Sequence, residues 1–208
     1  MDNLIQDLQL KLSQPLPGRS AQEQMTPEEI SDERFDESRL INAKLSSVLV
    51  LFYKKNSEWH LPLTQRHEYP GAHSGQVSFP GGKWEETDPD LVFTAKREAH
   101  EEIGVRPDKV DVIGQLTHLY IPPSNFKVLP IVGYSEDPPE FIIEEREVKE
   151  LIEVPLLHFM NPETRKQKKI KVSGGFRLNA PYFDVGGKVV WGATAMMLSE
   201  LVSVVKSI

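Results

Sequence analysis

The chain has 208 residues, 39% of them hydrophobic and 26% charged, enough for one globular domain and too apolar for disorder throughout. It has no cysteine, which excludes disulfides, thiolate catalysis and sulfur-ligated metal sites. A formal net charge of −7 argues against a general binder of nucleic acid or of an anionic membrane, and no apolar run approaches the roughly 20 residues of a spanning helix. With no basic-then-apolar leader at its start, the chain is expected to be soluble and cytoplasmic.

Leu4, Ile5, Leu8 and Leu12 recur at helical spacing before Pro15 and Pro17, which predicts a short appended helix, with polar loop and short helix from 14 to 38. Residues 1–43 hold nine acids and four bases, so much of the acidic excess lies in this extension. A domain spanning 44–208 is expected to follow it. Ser46 to Lys54 reads as a buried strand, and the segment from Pro70 to Gly82 carries Gly71, Gly75, Gly81 and Gly82, a loop suited to unusual backbone angles and close approach. Next comes a helix from about Pro89 to Ile103, with Thr87 or Asp88 as N-cap and Gly104 closing it. Val110 to Tyr120, Phe126 to Tyr134, Glu140 to Ile143 and Glu150 to Val154 read as strands, and Lys168 to Val172 with Phe176 to Leu178 as a hairpin about Gly174-Gly175. Trp191 leads into a terminal helix carrying Ala195, Leu198, Leu201, Val202 and Val205. Strands on both sides of a central helix, with another helix at the end, predict an α/β fold in which helices cover a mixed sheet.

On the central helix Glu98, Glu101 and Glu102 stand at i, i+3 and i+4, so three anions share one face while Val92, Ala95, Ala99 and Ile103 form a mostly small packing stripe. Alone, this pattern also fits a solvated acidic helix end with Lys96 and Arg97 as partners. Directly after Phe79-Pro80-Gly81-Gly82, it fits oxygen ligation of a hard cation such as Mg²⁺ that bridges carboxylates to substrate phosphates.

Gly82 followed by Arg97-Glu98-Ala99-His100-Glu101-Glu102-Ile103-Gly104-Val105 resembles the Nudix box, G, five residues, E, seven residues, R-E-U-x-E-E-x-G-U, where U is aliphatic. The front end has one extra residue and leaves Asp88, Glu85 or Glu86 for the first acid, whose role in the family is to pair with the arginine. Upstream, Leu63-Thr64-Gln65-Arg66 and His73-Ser74-Gly75-Gln76-Val77-Ser78-Phe79-Pro80-Gly81-Gly82 resemble the signature of the coenzyme A pyrophosphatase branch, as does Trp191-Gly192-Ala193-Thr194-Ala195. That branch places an Arg four residues before the glycine that is Gly75, where this chain has Gly71.

The resemblance implies an α/β/α sandwich with a mixed central sheet and a loop-helix-loop motif. It implies hydrolysis, with Mg²⁺ or Mn²⁺, of a nucleoside diphosphate linked to another group: coenzyme A, or alternatively ADP-ribose or a dinucleotide. A Nudix-fold sensor without catalysis is the reading from another class, and the intact Arg97, Glu98, Glu101 and Glu102 count against it. By the same resemblance Glu98 and Glu102 are metal ligands with the Gly81 carbonyl, Glu101 is a third ligand or the general base, and Glu147 is a second candidate base. Arg97 supports the catalytic set. Arg66, His73, Gln76 and Phe79 are the candidate substrate contacts, although His73 also suits bracing of its loop and Phe79 and Trp191 packing in the core. No nucleic acid or membrane partner is expected, and oligomerisation is left open.

Overall fold

A computed structural model describes residues 3–27, 35, 37–68, 74–172, 175 and 177–208. Two short helices open the chain, α1 (Asn3–Leu12) and α2 (Arg19–Gln22). The strand β1 (Lys44–Lys55) then forms a hairpin with β2 (Glu58–Arg66), and β3 (Val77–Ser78) and β4 (Gly81–Lys83) precede the long helix α3 (Leu91–Ile103). The next elements are β5 (Asp111–Gln115), β6 (Leu119–Ile121), β7 (Phe126–Tyr134) and β8 (Val148–Pro155). A short helix α4 (Leu156–Met160), three strands β9 (Arg165–Lys171), β10 (Arg177–Val185) and β11 (Lys188–Trp191), and helix α5 (Gly192–Lys206) complete the order.

The eight strands β1 to β8 make one mixed sheet along the path β3-β2-β1-β7-β5, with β4 added to β1, β6 to β7 and β8 to β2. Its parallel pair is β1 with β7, from Lys44 opposite Phe126 to Phe52 opposite Tyr134. A strand buried on both faces needs a near-continuous apolar run rather than alternation, and this is what Val48 to Tyr53 supply. Leu49, Leu51 and Tyr53 pack with Ala95, Ala99 and Ile103 of α3. On the other face Val48, Val50 and Phe52 join a larger core with α1 and α5. The three layers are those the sequence implies.

The expected N-terminal helix is present, and Ile5, Leu8 and Leu12 are buried in that second core, each stabilising by roughly 2 kcal/mol. Gly114 in β5, with φ +156°, admits it, because a Cβ there would press on the Leu12 side chain. Glu200 of α5 ties down the segment after α1. It is buried and accepts hydrogen bonds from Gly18 N (3.2 Å), Gln22 Nε2 (2.9 Å), Thr117 N (3.2 Å) and Thr117 Oγ1 (2.6 Å).

Several boundaries differ from expectation for tertiary reasons. Asp90, not Thr87 or Asp88, caps α3: its Oδ1 accepts from Phe93 N at 2.7 Å, and Pro89 lies outside the helix. Val110 to Tyr120 is two strands, because Thr117 N turns to Glu200 between them. Glu140 to Ile143 joins no ladder; Ile142 N donates to Ile103 O (3.0 Å) and Glu144 N to Glu102 O (3.0 Å), so this segment closes the end of α3 instead. The hairpin about 174–175 belongs to a second, three-stranded sheet β11-β10-β9 that also takes in the unanticipated β11. Gly174 and Phe176 themselves lie outside the described residues. No described helix is long and apolar enough to cross a membrane.

Candidate active site

The approach to α3 is a strand added to β1. Val48 stands opposite Gly81 and Ser47 opposite Gly82, held by Leu49 N donating to Pro80 O (2.9 Å) and Trp84 N to Leu45 O (3.0 Å). These bonds place Gly81 at a register position where the ladder to β1 uses neither its N–H nor its C=O. The N–H donates instead to Glu102 Oε2 at 3.2 Å. At φ +153° a Cβ on Gly81 would meet the Ser47 carbonyl and Val48 Cα, and one on Gly82 would meet the Glu98 carboxyl group. Both glycines are thus required by close approach, which brings bare backbone against two carboxylates.

Arg97 fixes the helix to this loop. Its Nε and Nη2 fork onto both oxygens of Asp88 (2.9 and 2.8 Å), Nη2 also donates to Lys83 O (3.1 Å), and Nη1 reaches Glu98 (3.0 Å) and Glu101 (3.1 Å). Asp88 is therefore the first acid left open by the sequence, and neither Glu85 nor Glu86 takes that place. It is buried, and the hydrogen bonds from Arg97 hold its carboxyl at about 2, with Thr94 Oγ1 and Glu85 N as further donors. The same pairing raises the Arg97 guanidinium above its ordinary value.

Glu102 is in the opposite condition. Burial pushes its carboxyl up to about 7, opposed by Arg66 and the Gly81 N–H and reinforced by the charges of Glu98 and Glu147. Glu98 is also raised, first by burial, against the pull of Arg97. Arg66 Nη2 lies 3.7 Å from Glu102 Oε1, brought there where the pairing of β2 with β8 shifts register between Gln65 and Arg66. Glu147 lies close enough for its charge to raise both Glu98 and Glu102. Gly104, at φ +73°, ends α3 in the left-handed conformation and lacks the Cβ that would collide with Ile142, so the chain from 140 to 148 can fold back along the helix end.

Glu98 thus feels the charges of Glu101 and Glu147, and Glu102 those of Arg66, Glu98 and Glu147, with Arg97 bound to Glu98 and Glu101. Glu101 is exposed, its side chain held by Arg97. Gln76 lies a short way off, its carbonyl accepting from Arg66 N at 3.0 Å. Phe79 differs from its expected substrate role: at 1% exposure it packs in the core behind the loop, in line with Val77. Trp191 is only partly buried and lines a cavity rather than the core. His73 and Gly71 lie outside the described residues.

The donor set fits a hard divalent cation. Two carboxylates are raised by burial and repel each other, and Arg97 is shared with Asp88 and the Lys83 carbonyl. Among the described residues no three acidic or histidine side chains close around one point, since Arg97 draws Glu98 and Glu101 while Gly81 and Arg66 hold Glu102.

The chain is 35% identical over 175 residues to Nudix hydrolase 15, mitochondrial, of Arabidopsis thaliana, covering 81% of this chain and 61% of the relative. It is 37% identical over 128 residues to the peroxisomal coenzyme A diphosphatase NUDT7 of Mus musculus, covering 62% of this chain and 54% of that one. It thus spans less than two thirds of the length of either relative. The fold is shared with a MutT/nudix family protein from Enterococcus faecalis, at TM-score 0.51 and 14% identity over 78% of this chain and 61% of the other. The NUDIX domain matches residues 43–172, which hold every strand from β1 to β9 as well as the carboxylate helix, and the chain belongs to that family.

Proposed function

We propose that the chain hydrolyses the pyrophosphate bond of coenzyme A or its derivatives, yielding 3′,5′-ADP and 4′-phosphopantetheine. The observation that carries this reading is the delivery of Arg66, from the motif shared with the coenzyme A branch, to within 3.7 Å of the carboxylate on α3. Similarity to a coenzyme A diphosphatase supports it. Gly71, where the branch has Arg, favours ADP-ribose or a dinucleotide as the second reading.

Glu98, Glu102 and the Gly81 carbonyl would hold Mg²⁺ or Mn²⁺, with Glu101 as a third carboxylate. A cation held there would supply positive charge for the phosphate oxygens and would lower the pKa of a water molecule. Arg66 forks onto a phosphate oxygen as the diphosphate enters. Water forms the new O–P bond as the anhydride O–P bond breaks, and its proton passes to a carboxylate, Glu147 or Glu101. Glu147 faces both Glu98 and Glu102 electrostatically, whereas Glu101 is tied to Arg97, which favours Glu147 as the base. Arg97 acts by position, since Asp88, Lys83 and the two glutamates occupy its donors.

Mass spectrometry of products from coenzyme A and from ADP-ribose, with Mg²⁺, Mn²⁺ or EDTA, tests this directly. Metal-dependent 3′,5′-ADP and phosphopantetheine are expected; AMP and ribose 5-phosphate alone would transfer the assignment to the second reading. Glu102→Gln should lower kcat by about 10³-fold or more with the fold intact, and Glu147→Gln should lower kcat more than it raises KM.

A further inference from the structure

Glu147 sits in a turn that its own charge works against. Residues 144–147 read Glu-Glu-Arg-Glu, and the charge of Glu147 acts on both Glu98 and Glu102, so like charges push this turn away from α3. The two ends of the turn are fixed by backbone. Glu144 N donates to Glu102 O (3.0 Å), and Val148 opens β8 opposite Arg66 of β2. Inside the turn, Glu144 O accepts from Glu147 N and from Val148 N, both at 3.0 Å, and Glu144 Oε1 accepts from Arg146 N at 3.2 Å.

One side chain from elsewhere reaches the middle of the turn. His67, the residue after the end of β2, donates from Nε2 to Glu145 O at 2.8 Å. A carbonyl oxygen only accepts, so Nε2 carries a proton here. Among the described residues no other side chain from outside the turn is hydrogen-bonded to it. The backbone of His67 is occupied on a different loop: its carbonyl accepts from Gly75 N (3.1 Å), next to the bond from Arg66 N to Gln76 O. Those backbone bonds suit any residue type, which leaves the imidazole as the feature specific to His67. Consecutive residues therefore serve two carboxylates of the site. Arg66 meets Glu102 by charge, at 3.7 Å, and His67 reaches Glu147 through the turn that bears it. Because the second contact is to a carbonyl, it fixes the turn without engaging the Glu147 carboxylate.

We propose that His67 is a positioning residue, which holds the turn against this repulsion and so sets where the Glu147 carboxylate stands when it removes the proton from water. The proposal rests on the hydrolase reading above, with Glu147 as the base.

The test compares His67→Phe, which keeps a ring without a donor, with His67→Gln, which keeps an N–H donor. Both are made in the full chain and assayed in Mg²⁺ with whichever of coenzyme A and ADP-ribose the protein hydrolyses. His67→Phe should lower kcat about tenfold with KM shifted less than about twofold, and His67→Gln should keep kcat within about threefold of the parent. In a Glu147→Gln background, His67→Phe should lower kcat by less than about twofold more, because the base it positions is gone. A second arm needs no turnover: hydrogen–deuterium exchange over 144–148 should quicken about fivefold in His67→Phe and not in His67→Gln, with exchange in α3 unchanged. Unaltered exchange over 144–148, or full additivity of the two substitutions, overturns the proposal. If neither compound is hydrolysed but exchange quickens, the hold on the turn stands and the hydrolase reading falls. If Glu147→Gln lowers kcat and His67→Phe does not, the hydrolase reading stands and the positioning role falls.

Discussion

Asp88 and Glu102 are both buried carboxylates within one motif, and their surroundings drive them in opposite directions. Asp88 receives a forked guanidinium and is held at about 2; Glu102 has one amide and a distant arginine and rises to about 7. A carboxyl raised in the folded state keeps its proton after the unfolded chain, at its ordinary 4.5, has released one. Without a divalent cation, stability should therefore fall as pH rises from about 4.5 to 7, by about 3 kcal/mol at most. Asp88 works in a lower window: its contribution is full above about 3.8 and is lost as pH falls toward 2. Thermal unfolding in EDTA across this range should show the decline, and Glu102→Gln should flatten it; an unchanged slope in that variant refutes the assignment. The acids Glu98, Glu101 and Glu102 are legible from spacing alone. The partner of Arg97 is not, because it depends on the turn in which Asp88 N bonds Glu85 O and Trp84 Nε1 bonds Asp88 O.

At the scale of elements, α3 is defined as much by the segment after it as by its own residues. Its stop signal, Gly104, is readable, but the segment it admits reads as a strand, since Phe141, Ile142 and Ile143 have strand composition. The amides of Ile142 and Glu144 are used by the end of the helix, a tertiary choice that local propensity does not encode. Gly104→Ala should destabilise by roughly 2 kcal/mol, from the left-handed φ together with the collision with Ile142, and should lower kcat further by displacing Glu147. Denaturant unfolding and kinetics at a temperature where the variant is folded separate the two effects. Loss of stability with an unaltered kcat would show that this backbone position does not place Glu147.

Over the whole molecule, the layered α/β architecture is readable because β1 is apolar on both faces and α3 and the terminal helix carry clear packing stripes. The separate three-stranded sheet is less so. β9 is exposed and charged along most of its length and shows neither alternation nor an apolar run, so its register with β10, in which Arg165 stands opposite the buried Phe183, is not written in its own pattern. Glu200 escapes a sequence reading for a related reason: a carboxylate in an apolar helix reads as an exposed residue until its donors, 83 to 182 positions away, are seen. Glu200→Ala leaves the Gly18, Gln22 and Thr117 donors without their acceptor and should cost about 3 kcal/mol, with Glu200→Gln milder. Equilibrium unfolding in urea checks the size, and kcat of the folded fraction should be unaffected.

The same residue bears on how the protein is made. Helix α5 comes after every other described element, yet Glu200 holds the segment at Gly18 and the break between β5 and β6, and Leu198, Leu201 and Val202 share a core with Ile5 and Leu8. During synthesis from the N-terminus, those early apolar side chains can meet β1 and β5 but are not fully covered until α5 emerges. That core therefore closes late, and a product ending before residue 200 presents an unsealed apolar face to chaperones and proteases.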